Sequence, residues 1–323
     1  MAAPLDRSAT WPYEDGEPQR FSYARADHPT GVAVEEALGA LDRGHALFFP
    51  SGMAAVTAVL LTLGRPGQTI ALAEGAYYGT AVLFRHLEPW GVRFVEYDQT
   101  GAPPADADLV WLEAPANPML TMPDVAAATA LGVPVVCDST VATPLGLRPL
   151  ELGCTVALHS ATKYLGGHDD LVAGVATVRD EQLHRRLWDT RRLTGMVAAA
   201  DTAWLLLRGL ETLELRVARQ SATAADLAER LRRHPDVSVV RYPGLGGLVS
   251  FDVADGEAAL RVERAVRLIE NATSLGGTRS KIESRHRWEG ERCPPGLLRL
   301  SVGLEDADEL WVDLEQALAA ATA

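Results

Sequence analysis

Apolar positions along this chain change period as it is read. From about residue 69, short runs rich in Val, Ile and Leu recur at 69–73, 92–97, 109–112, 133–137, 155–158 and 172–178. Their length and β-branched content predict strands. Between them, helical patterns open near Gly52, Gly79, Pro123 and Asp180. Strands alternating with helices predict a mainly parallel sheet in an α/β fold. A longer helical pattern runs from about 198 to 233, with Leu205, Leu206, Leu210, Leu213, Leu227 and Leu231 on recurring faces, and His234-Pro235 closes it. Beyond it, strands over 248–253 and 299–302 and helices over 257–269 and 306–320 predict a smaller α+β unit. The first 46 residues differ from both. Pro4, Pro12, Pro18 and Pro29 punctuate them, and Trp11, Tyr13, Phe21 and Tyr23 stud a stretch without core periodicity. That stretch predicts an arm that packs on a neighbouring subunit. The expected division is an arm at 1–46, a large domain at 47–212 and a small domain at 213–323.

Composition narrows the function classes. The 323 residues are 47% hydrophobic and 23% charged, and the formal net charge is −13. Such a balance argues against a nucleic-acid partner, because counterion release needs clustered Lys and Arg. No apolar stretch reaches the roughly 18 residues of a membrane span, and no basic start followed by an apolar run marks a secretory signal. A cytoplasmic location is expected. The widely spaced Cys137, Cys154 and Cys293 form no C-x-x-C pair, so neither a metal site nor a disulfide framework is expected.

Candidate chemistry concentrates at strand ends. The run from Thr155 to His168 leads from a strand through Ser160, Thr162 and Lys163 into Gly166-Gly167. A lysine held at a rigid strand end beside two hydroxyls suits an aldehyde cofactor and its phosphate. Ser51-Gly52-Met53 opens a helix whose free amides suit an anion, although small residues there are also ordinary structure. Asp138 follows a buried strand, where it can face a pyridine nitrogen or simply cap a turn. Asn117, in Glu113-Ala114-Pro115-Ala116-Asn117-Pro118, can reach a cofactor oxygen or mark a turn. Tyr77 and Tyr78 can stack on a ring and pass protons, or pack as core. Arg299 lies in an apolar strand and needs an anion, either a substrate carboxylate or a buried partner.

Taken together, these segments resemble the Cys/Met-metabolism pyridoxal phosphate enzymes, the cystathionine γ-synthase, cystathionine γ-lyase and methionine γ-lyase group. The likeness also takes in Tyr23-Ala24-Arg25, Ser274-Leu275-Gly276-Gly277 and Leu298-Arg299-Leu300-Ser301-Val302-Gly303. It implies the aminotransferase-like fold type I of pyridoxal phosphate-dependent transferases, with a mainly parallel large domain and a smaller α+β domain. It implies pyridoxal 5'-phosphate as cofactor, with Lys163 as Schiff-base lysine, Asp138 on the ring nitrogen and Tyr77 stacked and acting as acid and base. By the same likeness Gly52, Met53, Ser160 and Thr162 form the phosphate cup, and Asn117 contacts a cofactor oxygen. Tyr23 and Arg25 reach the phosphate of an adjacent subunit, so a dimer or a dimer of dimers (a homotetramer) with shared sites is implied. Ser274 and Arg299 hold the substrate carboxylate. The implied activity is a carbon–sulfur lyase on a small amino-acid substrate, nearest to cystathionine γ-lyase. The alternatives are γ-replacement, β-elimination and a catalytically inactive cofactor-binding relative.

The chain departs from the common pattern at Ser139, Tyr78 and Thr273, and it is short after Leu245. Residues 278–292 carry mixed charges, including Arg279, Arg285 and His286. They are expected to form either a substrate-recognition loop at a pocket mouth or a solvated surface loop.

Overall fold

The computed structural model describes residues 4–320. The strands form two sheets. In the larger sheet they are β1 (His45–Phe49), β2 (Thr69–Ala73), β3 (Arg93–Tyr97), β4 (Leu109–Glu113), β5 (Val135–Asp138), β6 (Val156–Ser160) and β7 (Gly174–Val178). Their order is β1-β7-β6-β5-β4-β2-β3. Pairing is parallel from β3 through β2, β4 and β5 to β6, whereas β7 runs antiparallel to both β6 and β1. The central strands β4, β5 and β6 are nearly continuous apolar runs, as expected where helices cover both faces of a parallel sheet. Helix Gly52–Leu63 lies on one face, capped by the Ser51 hydroxyl, which accepts from the Ala54 amide at 3.0 Å.

The smaller sheet contains β8 (Val239–Arg241), β9 (Leu248–Asp252), β10 (Glu270–Asn271), β11 (Lys281–Ser284) and β12 (Leu297–Ser301), in the order β10-β11-β12-β9-β8. Its core includes Phe251, Ile282, Leu298, Leu300 and Leu314. Helix Leu213–Arg232 packs on this sheet through Ala224, Leu227, Ala228 and Leu231, all fully buried.

Several local expectations shift. Helix Pro29–Asp42 lies within the stretch read as an arm, with Val34 and Leu38 fully buried. Strand β1 follows it. A buried bond from His159 Nε2 to Asp42 Oδ1, 3.0 Å, ties the helix end to β6. The single helix expected over 198–233 is two, Ala200–Leu210 and Leu213–Arg232. The break lets Arg216 reach the carbonyls of Gly209 and Tyr164, each at 2.8 Å. Leucine periodicity continues across it because both helices bury leucines. The helix expected to 269 stops at Ala265, where Val266 turns extended. The amides of Arg267, Leu268 and Ile269 then bond to the Asp313 carboxylate instead of continuing the helix.

Candidate active site

The parallel strands end on one edge of the large sheet, and their last residues carry the chemistry. Glu113 closes β4, Asp138 closes β5 and Ser160 closes β6; Glu113 and Asp138 are register neighbours. Ligands gather beyond the carboxyl ends of such strands. A cavity of about 420 Å³ opens there. It brings together Gly52, Met53, Tyr77, Asn117, Asp138, Ser160, Thr162, Lys163, Ser274 and Arg299. Tyr23 and Arg25 are elsewhere: Arg25 stacks on the Tyr23 ring and donates to the Arg192 carbonyl at 2.9 Å.

Lys163 follows the β6 end and donates from Nζ to Ser274 Oγ at 2.9 Å. Burial and the neighbouring Arg299 bring its pKa down to about 8. About a tenth of the amine is therefore unprotonated at neutral pH, far more than of a free lysine, and that fraction can act as nucleophile or base. Ser274 has a positive φ of 84°, which a non-glycine residue adopts only at a cost. In that conformation its hydroxyl meets Lys163 while its carbonyl accepts from Arg299 Nη2 at 3.0 Å.

Asp138 accepts on Oδ1 from the Thr140 amide (2.9 Å) and hydroxyl (2.5 Å). Those bonds orient the carboxylate and leave Oδ2 without a partner among the described residues. Burial raises its pKa, against the lowering pull of Thr140 and His159. A cation beside Oδ2, such as a protonated pyridine, would offset that burial. Glu113 is raised well above the usual carboxylate range by burial and by Asp138. Its Oε1 receives the Asn117 amide at 3.0 Å and its Oε2 the Tyr77 amide at 2.5 Å, so one side chain sets two residues of the cavity. The Tyr77 hydroxyl is raised to about 12 by burial and by Tyr78, whose ring centroid lies 4.9 Å away. Tyr77 thus remains protonated at neutral pH.

At one end of the cavity, Gly52 and Met53 are the first residues of their helix, so their amides find no carbonyl within it. A side chain at Gly52 would come within 3.0 Å of Ser160 Cβ, so glycine keeps helix and strand close. The Thr162 hydroxyl is engaged with Ala173, accepting from its amide at 3.0 Å. Free helix amides, the Ser160 hydroxyl, a reactive amine and a half-satisfied carboxylate make a donor set that fits a phosphorylated pyridine aldehyde.

Arg299 is 4% exposed and makes three bonds: to Asn117 Oδ1 at 2.9 Å, Ser274 O at 3.0 Å and Glu283 Oε2 at 3.0 Å. Its Nε is buried without a partner among the described residues. Burial and Arg285 push it down to about 10, so it stays charged near neutral pH. Residues 278–292 contain strand β11 and the short helix His286–Glu289, not a solvated loop. Arg285 and Trp288 line the cavity, whereas Arg279 is exposed and pairs with Glu270, and His286 faces the Cys293 carbonyl. Glu113, Thr140, Glu283 and Trp288 were not singled out from sequence. Glu113 could have been, since it sits at a strand end in a quoted motif. Glu283 could not, because only cross-strand register sets it opposite Arg299.

Comparison with known proteins agrees with this geometry. The family described as Cys/Met metabolism PLP-dependent enzyme matches residues 1–319. A putative cystathionine gamma-lyase of Streptomyces coelicolor is 40% identical over 328 residues, covering 92% of this chain and 83% of the relative. A cystathionine gamma-synthase of Mycobacterium tuberculosis is 38% identical over 334 residues, covering 92% and 86%. The crystal structure of metB from Corynebacterium glutamicum superposes with a TM-score of 0.95 at 33% identity, covering 98% of this chain and 92% of that one.

Proposed function

This chain belongs to the Cys/Met metabolism pyridoxal phosphate-dependent enzyme family, and we propose that it is a carbon–sulfur lyase of a sulfur amino acid. The reaction is α,γ-elimination: a γ-thioether amino acid and water give a 2-oxo acid, ammonia and a thiol. One observation carries the reading. The Lys163 amine, lowered to about 8, stands in one cavity with a carboxylate and an arginine Nε that, among the described residues, lack a partner on one oxygen and on the N–H respectively.

In this proposal the unit spanning 47–212 holds the cofactor and the unit spanning 213–323 closes over the substrate. The amides of Gly52 and Met53, with Ser160 and Thr162, hold the phosphate. Bound there, the cofactor would have Tyr77 against its ring, Asn117 near a ring oxygen and Asp138 to keep the ring nitrogen protonated. When bound, pyridoxal phosphate supplies an electron sink for charge left on the substrate carbon. Arg299, oriented by Asn117, Ser274 and Glu283, takes the α-carboxylate. Ser274 holds Lys163 beside it. Lys163, as free amine, removes the Cα proton. Tyr77, protonated at neutral pH, gives its proton to the departing sulfur. The arm residues Tyr23 and Arg25 serve the phosphate of a second copy, which makes the functional unit at least a dimer.

A γ-replacement reading follows from the same residues, since one of the similar proteins is a gamma-synthase. Incubation with cystathionine, methionine, cysteine, homocysteine and homoserine esters, with and without added thiol, separates the two. Elimination releases 2-oxo acid and ammonia from a thioether without added thiol. A new thioether formed only when thiol is supplied would replace this reading with γ-replacement. Release of pyruvate in place of the four-carbon acid would replace it with β-elimination.

A further inference from the structure

The outer half of the cavity is built by residues that the proposed chemistry does not use. Trp288 and Val172 are exposed at 57% and 61%, and Tyr78 at 37%, so these three form its mouth, with the exposed Thr273 also on the cavity wall. Charge on the cavity wall comes from Glu113, Asp138, Lys163, Arg285 and Arg299. Four of these are committed deeper in the site. Arg285 is the exception by position, but its charge is spoken for. Its Nη1 donates to Glu283 Oε2 at 2.9 Å and its Nη2 to Glu289 Oε1 at 2.8 Å, the residue is 3% exposed, and only Nε is left without a partner among the described residues. Glu283 in turn receives Arg299 on the same oxygen and Trp288 Nε1 on the other, at 2.7 Å. Two arginines therefore face two glutamates, and the cluster is neutral as a unit. Its bonds fix the Trp288 ring at the rim.

We propose that the Arg285–Trp288 segment makes this outer half a neutral, aromatic-walled subsite, which selects thioethers whose sulfur bears an uncharged apolar group. The proposal rests on the lyase reading above and deepens it. A substrate whose sulfur leads to a second amino-acid head would bring an ammonium and a carboxylate to this rim. Among the described residues of this chain neither meets an uncompensated charge there, and desolvating both without partners is costly. An alkyl group gains contact with Trp288, Tyr78 and Val172 instead. Because the rim is open to water, discrimination should be on the order of tenfold, in the range that apolar pockets reach.

The test uses the cofactor-loaded enzyme and two carbon analogues that lack a leaving group on Cγ, norleucine and 2,7-diaminosuberate, with affinity measured by calorimetry. Binding requires no cleavage, so it reads the subsite even if no elimination occurs. Norleucine should bind about tenfold more tightly, and Trp288→Ala should erase most of that ratio. Trp288→Phe should retain it, because the ring wall survives without the Glu283 bond. Arg279→Ala, altered outside the cavity, should leave it unchanged. Equal affinities, or tighter binding of the charged analogue, would overturn the subsite. So would an unchanged ratio in Trp288→Ala. Failure to cleave any thioether, with the affinity ratio intact, would instead overturn the lyase reading and leave the subsite standing.

Discussion

Lys163 and Tyr77 show how far one side chain's surroundings move its chemistry. Burial and Arg299 bring the Lys163 amine down to about 8 from an ordinary 10.5. The lowered value means that the unprotonated fraction grows as pH rises through about 8 and is already complete where a free lysine is still charged. In apoprotein, borohydride-trapped labelling of Lys163 by pyridoxal phosphate should therefore be half-maximal near pH 8. Peptide mapping across a pH series checks this, and a midpoint near that of free lysine contradicts it. Tyr77 moves the other way, up to about 12, through burial and Tyr78. The proposed role as acid predicts that Tyr77→Phe lowers kcat about a hundredfold or more. Retained cofactor absorbance in that variant would show that the ring wall survives.

Among the elements, β11 and β12 do what neither could alone. Their antiparallel register sets Glu283 opposite Arg299, and Glu283 then collects Arg285 and Trp288 as well. Glu283→Ala would leave two buried arginines short of compensation, a loss of about 3 kcal/mol by analogy with broken buried pairs. Urea denaturation measures the loss, and KM should rise along with it because Arg299 loses one of its three supports. The sequence carried only part of this element-scale picture. Apolar runs of four or five residues made the central strands legible, since a strand buried on both faces must be apolar throughout. Strand β1 and helix Pro29–Asp42 were missed because their neighbours are proline-rich and aromatic, which obscured the short periodic stretch. Residues 278–292 looked polar because their charges are numerous, yet Lys281, Glu283, Arg285 and Glu289 are buried by pairing with one another or with Asp169. Composition records charge, not compensation.

At the scale of the molecule, Lys163 and Arg25 lie apart in one chain although the proposal gives both to one kind of site. That separation predicts complementation between subunits. Lys163→Ala and Arg25→Ala should each be impaired alone. Mixed and reassembled, half of a randomly paired dimer population carries one intact site, so about a quarter of wild-type activity should return. No recovery in hybrids verified by native mass spectrometry would remove the arm from the neighbour's site. Among the described residues no helix is long and apolar enough to cross a membrane.

Local chemistry along the chain was enough to determine the α/β alternation, the lysine at a strand end, the aspartate beyond its neighbour and the family. Each of these depends on residues close in sequence, where backbone geometry alone limits what a side chain can reach. Tertiary structure decided the rest. Asn117 and Arg299 are 182 residues apart and bonded. Lys163 and Ser274 are 111 apart and bonded. The cluster around Glu283 is neutral only because two strands and a short helix converge. Charge balance inside a protein is a property of distances, and distances between remote segments exist only once the chain has folded.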